Sequence, residues 1–340
     1  MTAMNPASTA PAFATSRNPA TGELIATYPF QTPSEVEQLL DTNAAAFRLW
    51  RATPMRERVT AYRRLSATLR DRSDVFAALI TAEMGKTLAS ARAEVEKCAA
   101  TIEWIADNGP AILADEPVNV EGDDQVHVSF LPIGTILAVM PWNFPLWQVI
   151  RASGPIMLSG NGFLLKHAPN VMGSAYALQE AYEAAGFPKG LFANLIADND
   201  TVARTIEDPR IAAVTLTGSM RAGSAVAATA GKALKKSLLE LGGSDAFIVL
   251  ADANVDLAVK AAVEAGFGVR EVSEAEFARQ IAVNTTAALL TGQAFLRLRD
   301  RDQPGAITNI SSIAATHSVP NGAGYSASKA ALTMLTRQLA

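Results

Sequence analysis

The chain has 340 residues, 49% of them hydrophobic and 18% charged, with 29 basic against 33 acidic side chains and a net charge of −4. That near-balance excludes charge-driven binding to nucleic acid or a membrane surface, and the length suffices for two domains around a large core. Cys98 is the single cysteine, which excludes an intrachain disulfide and a cysteine-based zinc cluster; His127, His167 and His317 stand far apart without ligand spacing.

Residues 1–17 carry no basic stretch followed by an apolar run, and they read as a disordered lead-in. Helices come next. Thr32-Pro33-Ser34-Glu35 forms a capping box with proline at the first helical position, ahead of apolar residues at helical spacing. Three more helical stretches follow to about residue 109, with Gly85 and Gly109 suited to helix stops. Cys98 falls inside the last of them, with no base nearby in sequence, and reads as a structural thiol. From residue 126 the pattern changes. QVHVSFLPIG alternates like a strand. Short apolar runs then alternate with helices: TILAVM, GFLLK, LFANLIA and IAAVTLTGS are the runs. Buried strands alternating with helices predict an α/β fold with a doubly wound, Rossmann-like parallel sheet, whose ligands bind at the carboxyl ends of the strands. The apolar run Gly134 to Met140 is far too short to span a bilayer, and a cytoplasmic protein is expected.

Four stretches carry chemistry. In IAAVTLTGSMRAG, Gly218 and Ser219 stand where a strand hands over to a helix, and Gly223 follows. The unpaired N–H groups of that helix start suit a pyrophosphate, although the spacing also fits a plain turn. In MPWNFPLWQVIR, Asn143 lies between aromatics and prolines just after a strand. Its amide either donates to a developing oxyanion or caps its own backbone. Lys166 ends GFLLK, where it reaches a ribose or phosphate or is simply solvated. Glu240 precedes a Gly-Gly pair after a strand, as a general base or a plain loop carboxylate.

PWNFP, LLKHAPN, LTGSMRAG and LELGGSD, in this order and spacing, resemble the aldehyde dehydrogenase superfamily over residues 18–265, with the nearest likeness to bacterial succinate-semialdehyde dehydrogenases. The resemblance implies a nucleotide-binding domain over 18–243 and the start of a catalytic domain over 244–265. Asn143 would help form the oxyanion hole and Glu240 would be the general base. Trp142, Lys166, Gly218, Ser219 and Gly223 would line an NAD or NADP site. Arg151 would grip the distal carboxylate of a semialdehyde, as a guanidinium does well. Many NAD-preferring members have a glutamate three residues after the lysine; here Pro169 stands there, which removes a carboxylate that would repel NADP. The family's reaction needs a cysteine thiolate that attacks the aldehyde. The usual spacing places it at about Glu274, and no cysteine follows Cys98. The resemblance therefore implies an NAD(P)-dependent aldehyde or semialdehyde dehydrogenase that is catalytically impaired. The family's C-terminal oligomerisation strand is also absent from the sequence.

The remainder has a different grammar. Ser273 to Glu276 opens another helix, GAITNISSIA reads as a buried strand, and GYSASKAAL places Tyr325 and Lys329 one turn apart on a helix, where the ammonium lowers the phenol's pKa. NISSIA and GYSASKAAL, with VN upstream, resemble the short-chain dehydrogenase/reductase family over 266–340. The resemblance makes Asn284, Ser312, Tyr325 and Lys329 its catalytic tetrad, on a grafted α/β fragment that lacks that family's nucleotide loop. Ala265-Gly266 belongs to both patterns and is the expected point of a join. Three readings follow: an impaired semialdehyde dehydrogenase, a carbonyl reductase working through Tyr325, or a nucleotide-binding remnant without catalysis.

Overall fold

The computed structural model describes residues 13–120 and 125–242, together with positions 254, 256, 257, 331 and 332. The chain divides into two compact units at Leu241/Gly242. The account that follows concerns the first. The tetrad Asn284, Ser312, Tyr325 and Lys329, the join at Ala265-Gly266 and the position of Glu274 all lie outside the described residues.

Residues expected in the lead-in already belong to the fold. Strand β1 (Phe13–Arg17) pairs antiparallel with β2 (Leu24–Pro29). Ala14 and Ser16 are buried, and the Ser16 hydroxyl donates to Glu83 at 2.8 Å. One exposed phenylalanine and four polar or small residues carry little pattern, so this strand is defined by its partner rather than by its own composition.

Four helices come next: α1 (Pro33–Ala52), α2 (Met55–Asp71), α3 (Ser73–Met84) and α4 (Leu88–Ile112). The capping box at α1 is made: Glu35 N–H donates to Thr32 Oγ1 at 3.3 Å and Thr32 N–H to Glu35 Oε2 at 2.7 Å. Gly85 closes α3 in the left-handed conformation at φ 81°. Gly109 does not close α4. The helix runs on through Gly109 and Pro110 to Ile112, and a Cβ on Gly109 would lie 2.1 Å from Leu158 Cδ2. Its smallness serves a close helix–helix contact, which the sequence pattern cannot distinguish from a stop. A short ribbon of β3 (Glu116–Val118) and β4 (Val126–Val128) follows. Only three residues of QVHVSFLPIG are therefore strand.

The core of the unit is a five-stranded sheet. Its strands are β5 (Thr135–Val139), β6 (Gly162–Lys166), β7 (Phe192–Asn194), β8 (Ile211–Gly218) and β9 (Lys236–Leu241). They lie in the order β7-β6-β5-β8-β9 with every pairing parallel. Helices α5 (Trp147–Leu158), α6 (Met172–Ala184), α7 (Asn199–Glu207) and α8 (Met220–Lys232) make the crossovers. Side chains alternate across the sheet. Ala138, Phe163, Leu165 and Phe192 join a core with α2–α6, while Leu137, Leu164, Ala193 and Val214 join a second core with α1, α7 and α8. Over β5 to β8 both faces are covered, which is why those strands lie in unbroken apolar runs, whereas β9 is largely exposed. The expected doubly wound α/β sheet is present.

Strand order fixes the place of the site. The chain runs from β5 outward through β6 to β7, then returns to the other side of β5 for β8 and β9. The direction reverses between β5 and β8, and a crevice opens there beyond the carboxyl ends.

Candidate active site at the carboxyl edge of the sheet

The turn from Met140 to Leu146 connects β5 to α5, and it is held from two sides. Leu146 N–H and Trp147 N–H, at the start of α5, both donate to Glu94 Oε1 at 3.0 Å. Glu94 in turn pairs with Lys86, and both side chains are 1% exposed. Lys86 Nζ also sits 3.8 Å from the centre of the Phe144 ring. Burial pulls the Lys86 pKa down, while Glu94 pulls the other way. On the opposite side, Ala168 N–H donates to His167 Nδ1 at 2.9 Å, so the ring proton belongs on Nε2, which donates to the Pro145 carbonyl at 2.9 Å. Burial lowers the His167 pKa to about 4, and the ring is neutral at pH 7. Glu94, Lys86 and His167 were not among the sequence candidates. Each works through tertiary contacts, and the only sequence signal was an acid and a base eight residues apart on either side of a helix start.

This clamp leaves Trp142 and Asn143 exposed at the apex of the turn. The Asn143 amide has no hydrogen-bond partner among the described residues, so the self-capping alternative is not the one adopted. Arg151 and Glu240 were read separately, yet the fold brings them together. Arg151 Nη1 lies 3.5 Å from Glu240 Oε2, and Nη2 donates to Thr217 Oγ1 at 3.4 Å. Both charged side chains are partly exposed, so the pair holds by roughly 0–1 kcal/mol and yields to a competing ligand. Glu240 is the penultimate residue of β9, inside the strand rather than in the loop after it.

Lys166 ends β6 as expected. It has no ion-pair partner among the described residues, and burial lowers its pKa. It borders two clefts. One, of about 510 Å³, lies between α7 and α8 and is walled by Val139, Val202, Ile206, Leu216 and Val226, with Ser219 and Arg221 at its rim. The other, of about 320 Å³, includes Phe30, Pro169, Asp198 and Asp200. Gly218 is the last residue of β8, and Ser219 caps α8 by accepting from Ala222 N–H at 3.3 Å. Gly223 has a different use from the one its spacing suggests. It is buried, and a Cβ there would lie 2.5 Å from Leu241 Cδ2, so its smallness seats α8 on β9. A largely apolar cleft with Lys166 and Arg221 in its lining fits an adenine nucleotide.

Cys98 is fully buried in α4, and burial raises its pKa well above the usual thiol value. It is a structural thiol. Among the described residues there is no cluster of three or more metal-ligating side chains, and no helix is long and apolar enough to cross a membrane.

Comparison with known proteins agrees with this architecture. The family model described as "Aldehyde dehydrogenase family" matches residues 7–270, and one described as "Enoyl-(Acyl carrier protein) reductase" matches residues 253–340. The two overlap over 253–270, the window that holds Ala265-Gly266. A succinate semialdehyde dehydrogenase [NAD(P)+] of Escherichia coli is 54% identical over 250 residues, 74% of this chain and 54% of its own length. A probable succinate-semialdehyde dehydrogenase [NADP(+)] of Synechocystis is 45% identical over 248 residues, 73% of this chain and 54% of its own. The chain thus spans about half the length of the curated relatives it matches. Among solved structures, succinic semialdehyde dehydrogenase from Streptococcus pyogenes in complex with NADP+ superimposes with a TM-score of 0.72 at 30% identity, covering 87% of this chain and 67% of that one. Gox0499, described for its cofactor and substrate selection, gives a TM-score of 0.72 at 40% identity, covering 74% of this chain and 55% of that one. With its parallel sheet, its nucleotide-sized cleft and these matches, the chain belongs to the aldehyde dehydrogenase family, joined to a C-terminal fragment similar to short-chain dehydrogenases.

Proposed function

We propose that the chain binds NAD or NADP in the cleft between α7 and α8 and that it does not oxidise aldehydes by the thiolate route of its relatives. The observation that carries this reading is the pairing of an intact cleft with a buried, unreactive Cys98 as the sole cysteine. A bound nicotinamide would supply the hydride acceptor. The chain's own residues would do the rest: the apolar walls exclude water from the adenine, Lys166 presents its ammonium, and the clamped turn presents the Asn143 amide to a carbonyl oxygen. Arg151 would exchange Glu240 for the carboxylate of a semialdehyde. Without a thiolate no covalent adduct forms from which hydride can leave, and a carboxylate such as Glu274 is a poor nucleophile toward an aldehyde.

The test is a fluorescence titration with NADH and NADPH, paired with a turnover assay on succinate semialdehyde. Binding without oxidation is the expected result. Oxidation at an enzyme-like rate by pure protein overturns the reading. A second reading is favoured by the match over 253–340: carbonyl reduction through Tyr325 and Lys329. Reduction of a small ketone that disappears in Tyr325→Phe would establish it.

A further inference from the structure

Strand β9 stands at the edge of the sheet. It pairs with β8 on one side and, among the described residues, with no strand on the other. Such an edge presents backbone N–H and C=O groups to any strand that can pair with them. Its side chains alternate. Leu241 faces Gly223 of α8 and Glu240 faces Arg151 of α5, so Lys236, Leu238 and Glu240 share the α5 side. Little covers that side. Leu238 is 62% exposed, whereas Leu137, Leu164, Leu165 and Leu216 on the inner strands are at most 1% exposed. Lys236 is exposed and has no ion-pair partner among the described residues.

The order of residues says what fits. Along this face KSLLEL reads cation, apolar residue, anion. Read backwards it is anion, apolar residue, cation. A second β9 laid antiparallel with Leu238 opposite Leu238 therefore sets Lys236 of each protomer against Glu240 of its partner. Two opposite-charge pairs then flank one apolar pair. Centring the pairing on Leu239 instead sets Leu238 against Glu240 and loses both ion pairs. The favoured arrangement is two-fold and closes on itself.

We propose that the outer edge of β9 is an interface between two copies of this chain, joining their parallel sheets into one continuous sheet. Glu240, already 3.5 Å from Arg151, then also meets a lysine of the second copy, so each candidate site receives a cation from the other.

The test is sedimentation equilibrium of the full chain over a range of concentrations, beside Lys236→Glu, Leu238→Cys and Ser237→Cys. The unmodified chain is expected to dimerise. Lys236→Glu turns two attractive cross-strand pairs into two repulsive ones and should weaken the dimer by about tenfold or more. Residues directly opposite have Cα atoms about 4.5–5.5 Å apart, within reach of a disulfide, whereas the two copies of position 237, offset by two residues, stand about 8 Å apart, beyond it. Mild oxidation should therefore link Leu238→Cys into a covalent dimer and leave Ser237→Cys unlinked; Cys98 is buried and does not compete. A monomer at every concentration overturns the proposal. So does a dimer that Lys236→Glu leaves intact and Leu238→Cys fails to link, which places the interface elsewhere. Equal linking at positions 237 and 238 overturns it too, because a paired edge allows only one of them. Should Lys236→Glu fail to fold, the two cysteine variants decide alone.

Discussion

Replacing Glu94 by alanine removes more than one contact. The carboxylate accepts two N–H groups at the start of α5, each at 3.0 Å, and neutralises the buried Lys86 ammonium. Alanine leaves that ammonium uncompensated and both donors unpaired. Breaking a buried ion pair from one side costs about 3–5 kcal/mol. For a unit of this size that is a fall in midpoint temperature of roughly 6–20 °C. Glu94→Gln keeps an acceptor for the two N–H groups and loses the charge, so it is expected to cost less than alanine. Adding Lys86→Met to Glu94→Gln removes the stranded ammonium, and the double variant should be more stable than Glu94→Gln alone. The assay is urea unfolding followed by tryptophan fluorescence, with Trp147 as a local reporter because it begins α5 beneath Lys97. A cost below about 1 kcal/mol for Glu94→Ala, or strict additivity in the Lys86/Glu94 cycle, would refute the idea that this pair pins the turn carrying Asn143.

His167 gives a pH dependence with a defined sign. Its folded pKa of about 4 lies below the unfolded value near 6.5, so between those limits the unfolded chain binds more protons. Its contribution is complete above about pH 6.5 and is lost as pH falls toward 4, by roughly 3 kcal/mol in all; urea midpoints from pH 7 to 4.5 should show this limb, flattened in His167→Gln. Gly109→Ala should destabilise by about 1–3 kcal/mol, because Leu158 is itself buried and cannot yield to a Cβ 2.1 Å away, whereas Gly231→Ala, with open space at its Cβ inside α8, should stabilise by about 0.5–1 kcal/mol. Thermal unfolding of the two variants checks the opposite signs. Cys98 should resist a thiol reagent in the native protein and react once urea unfolds the chain.

The sequence by itself determined the features that local chemistry dictates. The capping box at Thr32, the stop at Gly85 and the succession of apolar runs and helices follow from hydrogen bonds and burial within a few residues, and they were legible without a fold. The motifs around Asn143, Lys166, Ser219 and Glu240 likewise marked one end of β5, β6, β8 and β9, because a doubly wound sheet presents its loops there. Strand β1 and the continuation of α4 through Gly109 were decided only in three dimensions. One needs a pairing partner across the chain and the other a neighbouring helix. The same holds for the site. Arg151 and Glu240 lie 89 positions apart, and strand order alone makes them an ion pair. Glu94, Lys86 and His167 are ordinary residues in sequence that become a clamp because burial strips their water and leaves each to bond with the turn or with a neighbour packed against it. Periodicity registers what a residue does for its own element; it is silent on what that residue does for another, and that second role exists only once the helices and the sheet are packed together.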